Sequence, residues 1–172
     1  SKENAGIEHH IGGSVVMLPP ANLNALFLLR HAAAHFAAVE IGLRHIIDWA
    51  LFVQNNYTDI DWSWLYGVAR RHNMEKFLNC LNAISIEYFG LDNKILPEFE
   101  RNAELECRVF NDILSPEFSE KMPSKGILRR LVFRYRRWWA NRWKHRIVYR
   151  AGLLRTFIVQ IYSHLLKPKS LK

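Results

Sequence analysis

Apolar residues recur at spacings of three and four along most of this chain, the pattern of amphipathic α-helices. Residues 1–20 lack that spacing, and their Gly-Gly, Val-Val and Pro-Pro pairs indicate irregular chain or one short hairpin. We therefore predict an all-α fold, an irregular bundle of about six to seven helices behind a short irregular or β segment. The predicted helices cover about 22–38, 43–53, 59–73, 75–89, 98–114, 124–144 and 148–166.

Cap residues support several of these boundaries. Asn22 follows two prolines and is expected to cap the first helix, and Asp59 or Asp61 is expected to cap the third. Asn73 is expected to end the third helix. Gly90 stands where a left-handed glycine commonly ends a helix, here the fourth.

Length and composition indicate one globular domain over residues 1–172. A chain of 172 residues that is 49% apolar can bury a substantial core. It has no run of 18 uncharged apolar residues and no signal-type opening, so we predict neither a membrane span nor export. Cys80 and Cys107 are expected to be buried free thiols in a reducing compartment, which favours a cytoplasmic location. The missing initiator Met leads us to expect a further region upstream.

The net charge of +8 is unevenly distributed. Residues 1–124 hold 10 basic and 16 acidic side chains, whereas residues 125–172 hold 14 basic ones and no acid. A basic tail from about residue 125 implies an acidic partner, which could be nucleic acid, an anionic membrane or the acidic first part of the same chain.

Polar side chains interrupt the apolar pattern most clearly at the first two helices. His31 and His35 share one helix face, and Arg44, His45 and Asp48 follow on the next helix. We favour a polar network in which the Asp48 carboxylate, paired with Arg44, also accepts from the histidines across the helix pair. Losing Asp48 alone would leave buried cations unpaired, which we expect to cost about 3–5 kcal/mol. A role in binding substrate or a partner domain is the second interpretation.

A transition-metal site is the third interpretation. His31 and His35 have ligand spacing, and His45 or Asp48 could complete the set. No third ligand stands at a diagnostic offset, so we assign neither a metal nor a catalytic residue. A metal-dependent enzyme using His31, His35 and Asp48 stays an alternative.

Three blocks carry a family resemblance: LNALFLLRHxxxHF from residue 23, IGLRHxxDWALF from residue 41 and DIDW from residue 59. They resemble an uncharacterised bacterial nucleotidyltransferase family. Residues 143–149 and 164–169 are similar to the tail of its members from gut anaerobes of the Bacteroides type. The resemblance spans roughly 18–66 and 138–170.

The resemblance implies an upstream domain of polymerase-β-like fold, in which Gly-Ser and paired aspartates hold Mg²⁺ and a nucleoside triphosphate. This chain has no such set: Gly13-Ser14 precedes no nearby Asp, and Asp59-x-Asp61 is typical of a helix start. We predict no cofactor for these residues. They would form the helical C-terminal part of a nucleotidyltransferase, assisting substrate binding or cleft formation without catalysing the transfer.

Basic and aromatic residues alternate over residues 129–150. Such a helix could bind phosphates and bases, or lie on an anionic membrane. We favour instead a helix whose inward stripe is formed by Leu131, Tyr135, Trp138, Trp139 and Trp143. A nucleic-acid-binding module remains an alternative function, and its candidate phosphate ligands are Arg134, Arg137, Arg142, Lys144 and Arg146.

Overall fold

A computed structural model describes residues 7–38, 41–118, 120–124 and 126–149 of the chain. It confirms the all-α prediction, with six α-helices behind a hairpin in the part described. The helix predicted over 148–166 lies, from residue 150 onward, outside the described residues. The elements are β1 (Ile7–Ile11), β2 (Ser14–Leu18), α1 (Ala21–Ala38), α2 (Leu43–Asn56), α3 (Trp62–Arg71), α4 (Glu75–Phe89), a 3₁₀ turn (Asn93–Ile95), α5 (Ala103–Leu114) and α6 (Ile127–Val148).

The N-terminal segment is a two-stranded antiparallel hairpin in which Ile7 faces Leu18. Gly12 and Gly13 form its turn with φ of 56° and 84°. Left-handed φ at both turn positions matches the twist of a tight hairpin, and glycine adopts it without steric cost. The hairpin alternative for this segment is therefore confirmed.

Two of the cap predictions are confirmed by hydrogen bonds and backbone angles. Asp61 caps α3, because its carboxylate accepts from the Trp64 N–H at 2.9 Å. Gly90 ends α4 in the left-handed conformation with φ of 70°. The Asn22 prediction was wrong: α1 already begins at Ala21, and the Asn22 Oδ1 accepts from the Asp61 N–H at 2.6 Å. Asn22 thus ties the start of α1 to the start of α3.

Helix α4 is central to the core, with all nine residues from Phe77 to Ser85 buried. Helices α2, α3, α5 and α6 pack against it, while α1 packs on α2, α3 and α6. Burial of α1 is one-sided and includes Ala25, Leu29, Ala32, Ala33, Phe36 and Ala37. Four alanines on that side let neighbouring helices approach closely, and the other side of α1 faces solvent.

A buried polar network joins three helices inside this core. The Trp49 Nε1–H donates to the Asn82 Oδ1 at 2.9 Å, and the Asn82 Nδ2 donates to the Tyr66 hydroxyl at 3.2 Å. Asn82 is fully buried, so these bonds compensate for removing its amide from water. Burial also raises the pKa of Tyr66 to about 12, which keeps the hydroxyl neutral.

The predicted inward stripe of α6 was wrong for three of its five members. Leu131, Tyr135 and Trp139 are each half exposed, whereas Trp143 packs edge-on against Phe36 with ring centroids 5.5 Å apart. The face of α6 that is buried depends on its contacts with α1 and α4, and these contacts bury a different face from the one predicted. The buried residues of α6 are Phe133, Asn141, Lys144, His145, Ile147 and Val148.

The basic helix is anchored to the acidic part of the chain by one buried ion pair. The Lys144 Nζ lies 2.5 Å from the Asp112 Oδ2, and both side chains are at most 3% exposed. Asp112 also accepts from the Glu117 N–H at 3.1 Å, which satisfies its second oxygen. For Lys144, the acidic partner is therefore the first part of the same chain, one of the three alternatives that the charge split left open.

The cysteine prediction was half right. Both thiols are free, but only Cys80 is buried, and Cys107 is exposed on α5. Burial raises the pKa of the Cys80 thiol to about 12, so it stays protonated. Across the described residues, none of the helices is both long enough and apolar enough to span a membrane.

Candidate functional site

Three histidines meet where the end of α1 lies beside the start of α2. His31 and His35 come from α1 and His45 from α2, and their candidate ligand atoms all lie within 4.8 Å of one another. The ring centroids are 4.6 Å apart for His31–His35, 5.4 Å for His31–His45 and 5.0 Å for His35–His45. Two sequence-separated segments thus build one imidazole cluster.

Local sequence explains why these rings converge. Two buried residues flank His45 in the sequence, Ile41 before it and Ile46 after it, and they hold the start of α2 against the core. Gly42 sits at the N-cap of α2 in extended backbone, and the His45 Nδ1 lies 3.4 Å from its carbonyl. On α1, the four-residue spacing places His31 and His35 one turn apart, on the side away from Phe36.

Arg44 and Asp48 form the same-helix ion pair that the sequence predicted, with a 3.6 Å separation. The pair is nevertheless at the surface, because the two side chains are 89% and 51% exposed. The expected cost of about 3–5 kcal/mol on losing Asp48 therefore does not apply, since exposed pairs contribute at most about 1 kcal/mol. Asp48 also lies outside the group of converging ligand atoms.

The imidazoles influence one another electrostatically. Burial lowers the pKa of His45, and the neighbouring His35 and His31 lower it further, against the opposing effects of the Gly42 carbonyl and Asp48. His45 is therefore neutral at neutral pH, and one of its ring nitrogens keeps a free lone pair.

An exposed aromatic ring extends the cluster along α1. Phe27 is 62% exposed and stacks on His31, with centroids 5.6 Å apart and planes 12° from parallel. We call the connected surface the histidine face. It consists of Phe27, His31, His35, Arg44, His45 and Asp48.

A family model described as "Uncharacterised nucleotidyltransferase" matches residues 4–90, half of the chain. The chain belongs to this nucleotidyltransferase family. The matched range contains the hairpin, helices α1–α4 and the whole histidine face. It includes the resemblance over 18–66, whereas the resemblance over 138–170 lies beyond it. No curated protein and no solved structure matches the chain.

Three described carboxylates, those of Asp61, Asp112 and Glu106, do not fit the paired aspartates that would hold Mg²⁺ for nucleotidyl transfer. Asp61 caps α3, and hydrogen bonds from Trp64 and Ser63 lower its pKa. Asp112 is buried against Lys144, and Glu106 receives two nitrogens of Arg101 at 2.8–3.0 Å. Each of these oxygens serves a separate structural contact, and Mg²⁺ needs several converging oxygens.

The candidate phosphate ligands of α6 are in different environments. Lys144 is buried with Asp112, so it is not at the surface as an external anion would require. Arg134 and Arg137 are half-buried, and Arg146 is exposed. Arg142 lies 4.3 Å above the Trp139 ring and donates to the Trp139 carbonyl at 2.7 Å. Within residues 126–149, the described part of the tail, these side chains form an arginine–tryptophan surface rather than a convergent phosphate pocket.

Proposed function

We propose that this chain is a non-catalytic helical part of a nucleotidyltransferase, which binds substrate or shapes the cleft of a catalytic domain elsewhere in the same protein. Family membership supports the reaction class. The observation that carries the assigned role is the histidine face, which lies at the surface inside the family-matched range. We place Mg²⁺ and the nucleoside triphosphate chemistry in an upstream domain, and the protein in the bacterial cytoplasm.

The side chains of the histidine face suit a nucleotide. Arg44 is 89% exposed and can donate two parallel hydrogen bonds to a phosphate. Each imidazole can donate an N–H in either protonation state, and the exposed ring of Phe27 can stack on a base. The same surface could instead contact the catalytic domain and close its cleft.

Nucleotide transfer and nucleotide binding test the two parts of this proposal. With Mg²⁺ and each α-labelled nucleoside triphosphate, residues 1–172 should transfer no label. In the longer protein, Arg44→Ala and His35→Ala should lower activity while leaving the melting temperature within the range of the control Arg71→Ala, an exposed arginine on α3. Transfer by residues 1–172, or full activity in both variants, would contradict the proposal.

The exposed aromatic surface of α6 favours a second candidate, binding of single-stranded nucleic acid. Tyr135 and Trp139 are half exposed with ring centroids 6.2 Å apart, and Arg142 lies over Trp139. Bases could stack on these rings while neighbouring arginines meet phosphates. Anisotropy of labelled RNA should then fall with salt and with Trp139→Ala. Equal binding to anionic vesicles would indicate a membrane surface instead, and no binding to either would remove this candidate.

A further inference from the structure

We infer that His31, His35 and His45 form a binding site for a divalent transition metal, with zinc as the expected ion. The three side chains come from two helices, and their candidate ligand atoms lie within 4.8 Å of one another. In a tetrahedral zinc site, Zn–N distances of about 2.0–2.1 Å place neighbouring nitrogens about 3.3 Å apart. The observed cluster is within reach of that geometry through rotation of the rings, since the last side-chain torsion of histidine is broad.

The surroundings of the cluster favour metal binding over simple ring stacking. His45 has its Nδ1 3.4 Å from the Gly42 carbonyl. A proton on Nδ1 would donate to that carbonyl, which leaves the Nε2 lone pair for an ion, as is usual for metal-binding histidines. Asp48, one turn further along α2, supplies a negative charge near His45.

Donor chemistry selects the class of metal. Three imidazoles suit zinc, copper or nickel, whereas magnesium and calcium require oxygen ligands. This site is therefore different in kind from a Mg²⁺ site for nucleotidyl transfer. Zinc with three protein ligands keeps a fourth position for water or a substrate atom, and the exposure of His31 leaves that position open to solvent.

Metal titration of the tag-free chain tests the site directly. Calorimetry with ZnCl₂ should give one zinc per chain, and Co²⁺ should give the visible absorption of a low-symmetry site with nitrogen ligands. Zinc should also raise the melting temperature, because the ion bridges α1 and α2 only in the folded state. His31→Gln, His35→Gln and His45→Gln should each weaken binding by more than the ~10–100-fold that loss of an outer-shell partner costs.

His72→Gln is the matched control, because His72 is exposed at the end of α3 and lies outside the cluster. It should bind zinc as the wild type does. Absence of stoichiometric zinc binding by the wild-type chain would overturn the inference, and so would wild-type affinity in His31→Gln. Because His31 is exposed, its substitution should leave the fold intact, so a loss of zinc binding in this variant reports on the site itself. No nucleotide enters this experiment, so its failure would leave the proposed role in nucleotidyl transfer intact.

Discussion

At the scale of single residues, the role of a polar side chain depends on which neighbours the fold supplies. The sequence identified His31 and His35 as a pair because four-residue spacing implies one helix face. The sequence offered His45 and Asp48 equally as a third metal ligand, because the sequence of neither helix determines the angle at which the two helices pack. The structure brings in His45 and leaves Asp48 with Arg44 at the surface.

The buried Asn82 shows the same dependence from inside the core. It lies in the apolar run of α4, where the sequence gives no sign of its role. Its amide is both acceptor for Trp49 and donor to Tyr66, and these partners come from α2 and α3. Only the assembled bundle places the three groups together.

We expect Asn82→Leu to lower the free energy of unfolding by about 2–6 kcal/mol. It leaves the Trp49 N–H and the Tyr66 hydroxyl without their present partner, and each unsatisfied buried group costs about 1–3 kcal/mol. Asn79→Leu is the control, because Asn79 is buried on the same helix and its Oδ1 has no hydrogen-bond partner within the described part of the chain. Urea denaturation should show the larger loss for Asn82→Leu, and equal losses would contradict the role of the network.

At the scale of elements, helix boundaries were predicted better than helix faces. The prediction for α4 matches its observed bounds, since Gly90 acts locally and needs no tertiary partner. The prediction for α5 began about five residues early, because apolar residues before Asn102 continue the spacing while the Asn102 side chain caps the helix. For α6 the large aromatic residues indicated the wrong inward stripe, as its partners bury Asn141 and Lys144 instead.

The buried ion pair of Lys144 with Asp112 fixes the position of α6 against α5. Lys144→Met should cost about 3–5 kcal/mol, because it leaves the Asp112 carboxylate buried without its counter-charge. The double variant Lys144→Met with Asp112→Leu should recover much of that loss, since an apolar pair of similar volume needs no compensation.

Chemical denaturation of the two single variants and the double variant completes this cycle. Arg136→Met is a suitable control, because Arg136 pairs with Glu120 at 2.6 Å on the exposed side of α6. Arg136→Met should lower the free energy of unfolding by no more than about 1 kcal/mol. If Lys144→Met cost no more than Arg136→Met, the buried pair would not anchor α6.

At the scale of the whole molecule, ion pairs among the described residues join the basic tail to the acidic part of the chain. Lys144 and Arg136 of the basic tail meet Asp112 and Glu120 of the acidic part. Other acidic side chains pair within the first part itself, as Glu106 does with Arg101 and Glu117 with Arg108. Sequence could identify the asymmetry, but it could not assign partners, because ion pairs depend on which surfaces the helices bring together.

Stability of the whole molecule should also depend on pH through His145. Burial lowers the pKa of His145 from its usual 6.5, and the adjacent Lys144 lowers it further. Its Nδ1 has no hydrogen-bond partner among the described residues, so a proton there would add an uncompensated buried charge. When the pH falls through 6.5, the unfolded chain therefore takes up a proton before the folded one.

The free energy of unfolding should consequently be greatest above pH 6.5 and decrease with acidification, until the pH falls below the pKa of His145 in the folded state. Melting temperatures between pH 7.5 and pH 5.5 measure this slope, and His145→Gln should flatten it. His45, whose pKa is also lowered, contributes a decrease of the same sign, so His45→Gln should also flatten the slope. His72→Gln serves as the exposed control. A buried neutral histidine binds its proton at a lower pH than the same residue in water, so it must contribute to this slope. An unchanged slope in His145→Gln would therefore contradict the role of His145 and assign the acid sensitivity to other groups.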